Sequence, residues 1–164
     1  MRRIAVIAVA VAALAVAAWS LLGPASGSAN IRSRLLALSD MINSSTVDGL
    51  GPEARGAQLG AFFTEDVDVD LGQGAAPIRG RETLVGMAGR LQPRTAAFQL
   101  RFEDVTIAMA PGDQAADVHL TAEIIRRSIT SGEESLDARE FTLGMRLVGG
   151  EWQIARVTAV DTLK

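Results

Sequence analysis

The chain has 164 residues, a net charge of −3, 48% hydrophobic and 21% charged residues, and neither cysteine nor tyrosine. That is room for one domain with a proper core and not for two. Disulfides and thiolate metal sites are excluded. With two tryptophans and no basic run, the composition does not point to nucleic acid as a partner.

Met1-Arg2-Arg3 is followed by Ile4–Gly23, IAVIAVAVAALAVAAWSLLG, which carries no charge. A stretch of that length enters or spans a bilayer. A retained anchor is the preferred reading, because the stretch exceeds a usual signal-peptide core and Trp19 sits near one end. A cleaved signal remains open, since Ala25-Ser26-Gly27 and Gly27-Ser28-Ala29 offer small residues to a peptidase. A buried helix of the fold is the third possibility. The first two leave Arg2 and Arg3 in the cytoplasm and export the residues from about 28 onward. Residues 1–27 are therefore assigned as anchor or signal plus linker, and 28–164 as the domain. The expected location is extracytoplasmic, anchored in the cytoplasmic membrane, or secreted or periplasmic after cleavage.

Beyond the connector GPASGS, Asn30 can cap a helix running to about Val47, with Ile31, Leu35, Leu38 and Ile42 on one face. A second helix starts with Pro52 in its first turn and ends in Leu59, Phe62 and Phe63. The period then changes to two. Val67, Val69 and Leu71 alternate with Asp66, Asp68 and Asp70, as in a half-buried strand with its acids in water. A calcium loop counted from Asp66 would need Gly sixth and Glu twelfth, where Leu71 and Pro77 stand. GRETLVGMAGRLQ returns to helix, with Leu84, Met87, Ala88 and Leu91 inward and Pro93 as its stop.

From Ala97 onward the pattern is strand and turn. Phe98, Leu100 and Phe102 share a face with Val105, Ile107 and Met109 only if one extra residue, a β-bulge, lies near Glu103-Asp104. APGDQ turns the chain. Val118, Leu120, Ala122 and Ile124 make the next inner face. After TSGEES come Phe141, Leu143, Met145 and Leu147, then a tight turn at Gly149-Gly150, then Trp152, Ile154, Arg156, Thr158 and Val160. A turn centred on Gly132-Glu133 sets Ala122 opposite Leu143 and Arg126 opposite Arg139; the Gly149-Gly150 turn sets Leu143 opposite Arg156 and Leu147 opposite Trp152. Arg156 is thereby expected inside. A guanidinium there clamps a carboxylate, enolate or phosphate of a ligand, pairs with an acid such as Asp40 or Asp48, or snorkels to the rim. His119 is expected outside with Thr121 and Glu123. The small outer residues Thr121, Thr142, Gly144, Ala155, Val157 and Ala159 suit a homodimer face.

The order FFTEDVDVDLG, IRGRETLVGMAGRL, LRFEDVTIAM, GGEWQIARVTAV, over residues 30–162, resembles the nuclear transport factor 2-like superfamily, with its SnoaL-like polyketide cyclases and ketosteroid isomerase. The resemblance implies an α+β, cystatin-like cone: three helices packed in the concave face of a strongly bent, mainly antiparallel sheet, with an apolar pocket. It implies no single activity. The isomerase's Asp base falls at Leu71, its second Asp at Leu143, and its Tyr has no counterpart, so that chemistry is not expected. The pocket is expected to be lined by Val69, Leu71, Met87, Phe98, Phe102, Ala122, Leu143, Met145 and Arg156. No catalytic residue, metal or cofactor is assigned. The expected role is non-catalytic binding of an apolar or anionic small molecule, or protein assembly. The alternative is a cyclase, dehydratase or isomerase acting on an apolar carbonyl substrate, with Arg156 polarising the carbonyl and Asp40, Asp48 or Glu82 as base.

Overall fold

A computed structural model describes residues 27–44, 51–72, 74–90, 96–128 and 132–160. The apolar segment 4–23 lies outside them, as do Asp48, Leu91 and Pro93. Among the described residues no helix is long and apolar enough to cross a membrane.

Among the described residues three helices and six strands follow in chain order: α1 (Gly27–Ser44), α2 (Pro52–Gly60), β1 (Phe63–Asp70), β2 (Ile78–Arg79), α3 (Arg81–Arg90), β3 (Ala96–Met109), β4 (Ala115–Ser128), β5 (Glu134–Val148) and β6 (Glu151–Ala159). They build one sheet in the order β2-β1-β6-β5-β4-β3. The last four strands form the expected antiparallel meander. β1 adds to it parallel to β6, and the two-residue β2 pairs antiparallel with β1. A strand that short leaves no period in the sequence.

The seat of α1 organises the rest. Its predicted face is buried at Ile31, Leu35 and Leu38, and each such side chain contributes about 1.5–3 kcal/mol when fully buried. The helix is already formed at Gly27, so Asn30 lies inside it and not at a cap. A Cβ at Gly27 would lie 2.7 Å from Met109 Cε and 3.4 Å from Trp152 Cζ2, so a bare backbone lets the first turn pack there. From that end α1 runs along β3. Arg32 Nη2 donates to Val105 O at 2.8 Å. Asn43 Nδ2 donates to Leu100 O at 2.9 Å, and Leu100 N donates to Asn43 Oδ1 at 2.7 Å. β3 is an edge strand, and these side chains occupy backbone groups that a foreign strand would otherwise pair. Arg34 joins three further pieces: Nη2 donates to Ala61 O at 2.6 Å and to Glu151 Oε2 at 3.2 Å, and the guanidinium stacks 4.3 Å from the Phe62 ring centre.

α2 and α3 pack closely because Gly56 and Gly60 are four apart on one helix face. A Cβ on Gly56 would come within 2.9 Å of Val85 Cγ1, and one on Gly60 within 3.4 Å of Arg81 Cδ.

Two bulges decide which side chains point inward. In β3, Glu103 pairs with Thr121 but Thr106 with His119, so the extra residue falls where the alternation predicts it, and Asp104 takes φ 53°. The second was not anticipated. Met145 pairs with Ile154 but Gly144 with Arg156, leaving Ala155 as the extra residue in β6. Beyond it the inner face continues through Val157 and Ala159, and Arg156 is exposed on the convex face. The expected pair Leu147–Trp152 forms, whereas Leu143 faces Val157 and not Arg156. Val157 and Ala159 accordingly leave the small outer surface expected of them. The β4–β5 register also differs by four residues: Val118 faces Leu143, Ala122 faces Arg139, and Arg126 faces Ser135. An even shift preserves the faces, so Ala122 and Leu143 remain inward.

The acidic alternation is the wet side of β1, as its parity predicts, and each acid has a partner. Asp66 binds Arg146, whose Nη2 also donates to Thr64 Oγ1 at 3.2 Å. Asp68 pairs with Arg79 at 3.7 Å, and Asp70 Oδ1 accepts from Gly72 N at 2.9 Å. The hydrogen bond from Thr64, with help from Arg146, holds the Asp66 carboxyl below its ordinary value of 3.8. A carboxyl depressed in the folded state stabilises it above the unfolded pKa, and the contribution is lost as pH falls through the folded pKa. Urea unfolding of Asp66→Asn at a series of pH values is therefore expected to lose stability less steeply below about pH 4 than the parent.

Candidate ligand-binding face

The concave side of β3–β6 is apolar over most of its length. At the end carrying the β3–β4 and β5–β6 turns, Met145, Val118, Ala116, Trp152 and Ile154 are buried together with Ile31, Leu35 and Leu38 of α1. Toward the other end β3, β4 and β5, with 14, 14 and 15 residues, outrun the 9-residue β6. There the inward residues Leu100, Phe102, Ile124 and Phe141 are only half-buried. The strip ends in charge. Arg126, Asp137 and Arg139 share the inward parity, and Arg126 Nη2 lies 3.5 Å from Asp137 Oδ2. Asp137 is the one carboxylate at a concave register position of β3–β6, and no histidine stands at any of them. Such a face can hold an apolar body with a polar end. It places no acid or base along the apolar floor.

The residues expected to line a pocket divide into three groups. Val69, Ala122, Leu143 and Met145 are buried, and Phe102 is half-buried against them. Phe98 lies in β3, but its side chain is outside the described set. Leu71, Met87 and Arg156 are corrections: all three are exposed. Leu71 follows the last residue of β1, so the alternation stops before reaching it. Met87 turns away because α3 packs through Leu84, against the core, and Val85, against Gly56. Arg156 is displaced by the bulge at Ala155. The bases once paired with it fare no better, since Asp40 and Glu82 are exposed.

One signal for that bulge was present in the sequence. A glycine inside a strand marks a bulge or a close backbone approach, and Gly144 is both: a Cβ there would lie 3.3 Å from Arg156 Cβ. The charged end was also legible. Setting Arg126 against Arg139 put like charges face to face, whereas the true register joins Arg127 to Glu134 at 2.9 Å and Arg126 to Asp137. His119 is on the convex face as expected, its Nδ1 3.1 Å from Thr142 Oγ1. Among the described residues no group of three or more His, Asp or Glu could hold a metal ion.

No family model matches the sequence, and no curated protein matches it. Solved structures do. A candidate scytalone dehydratase from Novosphingobium aromaticivorans superposes with a TM-score of 0.65 at 15% identity, covering 82% of this chain and 83% of its own. A protein of the same organism with an NTF2-like, cystatin-like fold gives 0.61 at 13% identity, over 79% and 78%. The ActVI-ORFA protein of Streptomyces coelicolor gives 0.62 at 10%, over 79% and 96%. The chain has the fold of these proteins: the three helices and six-stranded mixed sheet are a nuclear transport factor 2-like cone.

Asn43 holds α1 to Leu100, which belongs to the half-buried strip. Replacing it with Ala leaves the Leu100 N–H and C=O without their side-chain partner, at an expected cost of about 1–3 kcal/mol. Chemical denaturation of Asn43→Ala measures that cost, and light scattering during refolding is expected to rise as the β3 edge is uncovered.

Proposed function

We propose that this chain, built on the nuclear transport factor 2-like cone, is an extracytoplasmic binding domain. In this reading residues 4–23 tether it to the cytoplasmic membrane, and the distal concave face takes an apolar small molecule without transforming it. The observation that carries the reading is the half-buried strip of Leu100, Phe102, Ile124 and Phe141, which ends in Arg126, Asp137 and Arg139. Apolar area still reachable by water favours an apolar ligand by about 25 cal/mol per Å² removed, and a guanidinium at its end suits an anionic group on that ligand. The absence of acid or base along the floor weighs against proton-transfer chemistry there.

A second reading stays in view because of one pair. Asp137 beside Arg126 is a carboxylate next to a cation at the end of an apolar surface, and one structural neighbour is a candidate dehydratase. In that reading Asp137 is the base and Arg126 polarises a carbonyl; Arg156, on the convex face, has no part.

Calorimetric titration of the full chain in lipid nanodiscs with fatty acids, steroids and aromatic carboxylates distinguishes the two. Saturable binding is expected for at least one class, with Ile124→Glu weakening it about tenfold or more, equivalent to about 1.4 kcal/mol, and Arg156→Ala leaving it unchanged. Binding that ignores Ile124→Glu would remove the concave strip from the account. Turnover of a carbonyl substrate that disappears in Asp137→Asn would establish the enzyme instead.

A further inference from the structure

The route of α1 determines which end of the domain faces a bilayer. Gly27 packs against Met109 at the end of β3 and Trp152 at the start of β6. Arg32 then reaches Val105, and Asn43 reaches Leu100. Gly27 therefore lies at the end of the sheet that carries the turns Ala110–Gln114 and Gly149–Gly150, where Leu147 N of β5 donates to Gln114 O at 2.9 Å. The helix points toward the opposite end, where Arg126, Asp137 and Arg139 lie.

Only Pro24, Ala25 and Ser26 separate the apolar segment, ending at Gly23, from Gly27. Four Cα steps reach about 14 Å when fully extended. β4, at 14 residues, is about 45 Å long. The tether is thus too short for the charged end to meet the surface from which residues 4–23 emerge while Gly27 keeps its seat. The near end is suited to headgroups in its own right. Pro111, Gly112, Gly149 and Gly150 are uncharged and exposed and Val148 is exposed beside them, Asp113 is the one exposed carboxylate within the two turns, and Glu151 is paired with Arg34 at 3.2 Å.

We propose that the two-turn end of the sheet, Ala110–Gln114 with Val148–Gly150, rests on the lipid surface, so that the concave binding strip opens away from the membrane and is filled from the aqueous compartment. This rests on the reading of residues 4–23 as a membrane-entering segment. The ligand it selects is one that arrives in water or on a soluble carrier, and lateral entry from the lipid leaflet is disfavoured.

The chain has no cysteine, so single reporters can be placed without background. Gln114→Cys and Ser135→Cys both lie at exposed positions, one at each end. Each full chain is labelled with a fluorophore and reconstituted into phosphatidylcholine vesicles containing headgroup-spin-labelled lipid. Quenching at Gln114→Cys is expected to exceed that at Ser135→Cys by about twofold or more. Equal quenching, in protein that still floats with the vesicles, overturns the orientation and leaves the tether standing. Protein that does not float with the vesicles overturns both.

Discussion

The seating of α1 in the concave sheet is the constraint on which the other features depend. Burial of Ile31, Leu35 and Leu38 supplies the attraction. Burial is not directional, however, and would allow the helix to slide. Polar contacts fix its position: along β3, Arg32 on Val105 near the bulge and Asn43 on both backbone groups of Leu100, and elsewhere Arg34 on Ala61 and Glu151. A bulged edge strand is a place where backbone donors and acceptors fall out of register. Here helix side chains satisfy part of that edge, so the irregularity that bends the sheet also docks the helix. Ile31, Leu35 and Leu38 of α1 lie in the buried core, and the half-buried strip begins at Leu100, beside Asn43.

Bulges also explain why fold and site were not equally legible. The fold could be read because its signals are periodic and redundant. The four-residue spacing of Ile31 and Leu35, the alternation at Val67 and Val69, and the parity change after Phe102 each span several residues. A local error does not erase them. Side-chain facing has no such redundancy, because one inserted residue inverts every position beyond it. Ala155 did this to Arg156. The expected pairing holds before the bulge, at Leu147–Trp152, and fails beyond it, where Leu143 faces Val157.

Register between β4 and β5 illustrates a different limit. Gly132 drew the turn toward itself, and an even error left every face correct while moving each charge to a wrong neighbour. Electrostatics carried the missing information. Arg127 with Glu134 and Arg126 with Asp137 are opposite-charge pairs; the rejected register had Arg126 against Arg139. The acids of DVDVD were resolved by parity alone, because Val67 and Val69 had to be inside and the carboxylates had no other place to go. Leu71 shows where that argument stops: alternation applies only while the strand lasts, and β1 ends at Asp70.

In the proposed function ligand meets the distal concave strip and not the convex face, which carries Thr121, Thr142 and Thr158. Methyl-resolved NMR of the nanodisc-bound chain, titrated with the tightest ligand found by calorimetry, reads both faces at once. Shifts centred on Leu100 and Ile124, with the convex threonine methyls still, are the predicted result; shifts confined to Thr121, Thr142 and Thr158 would contradict it.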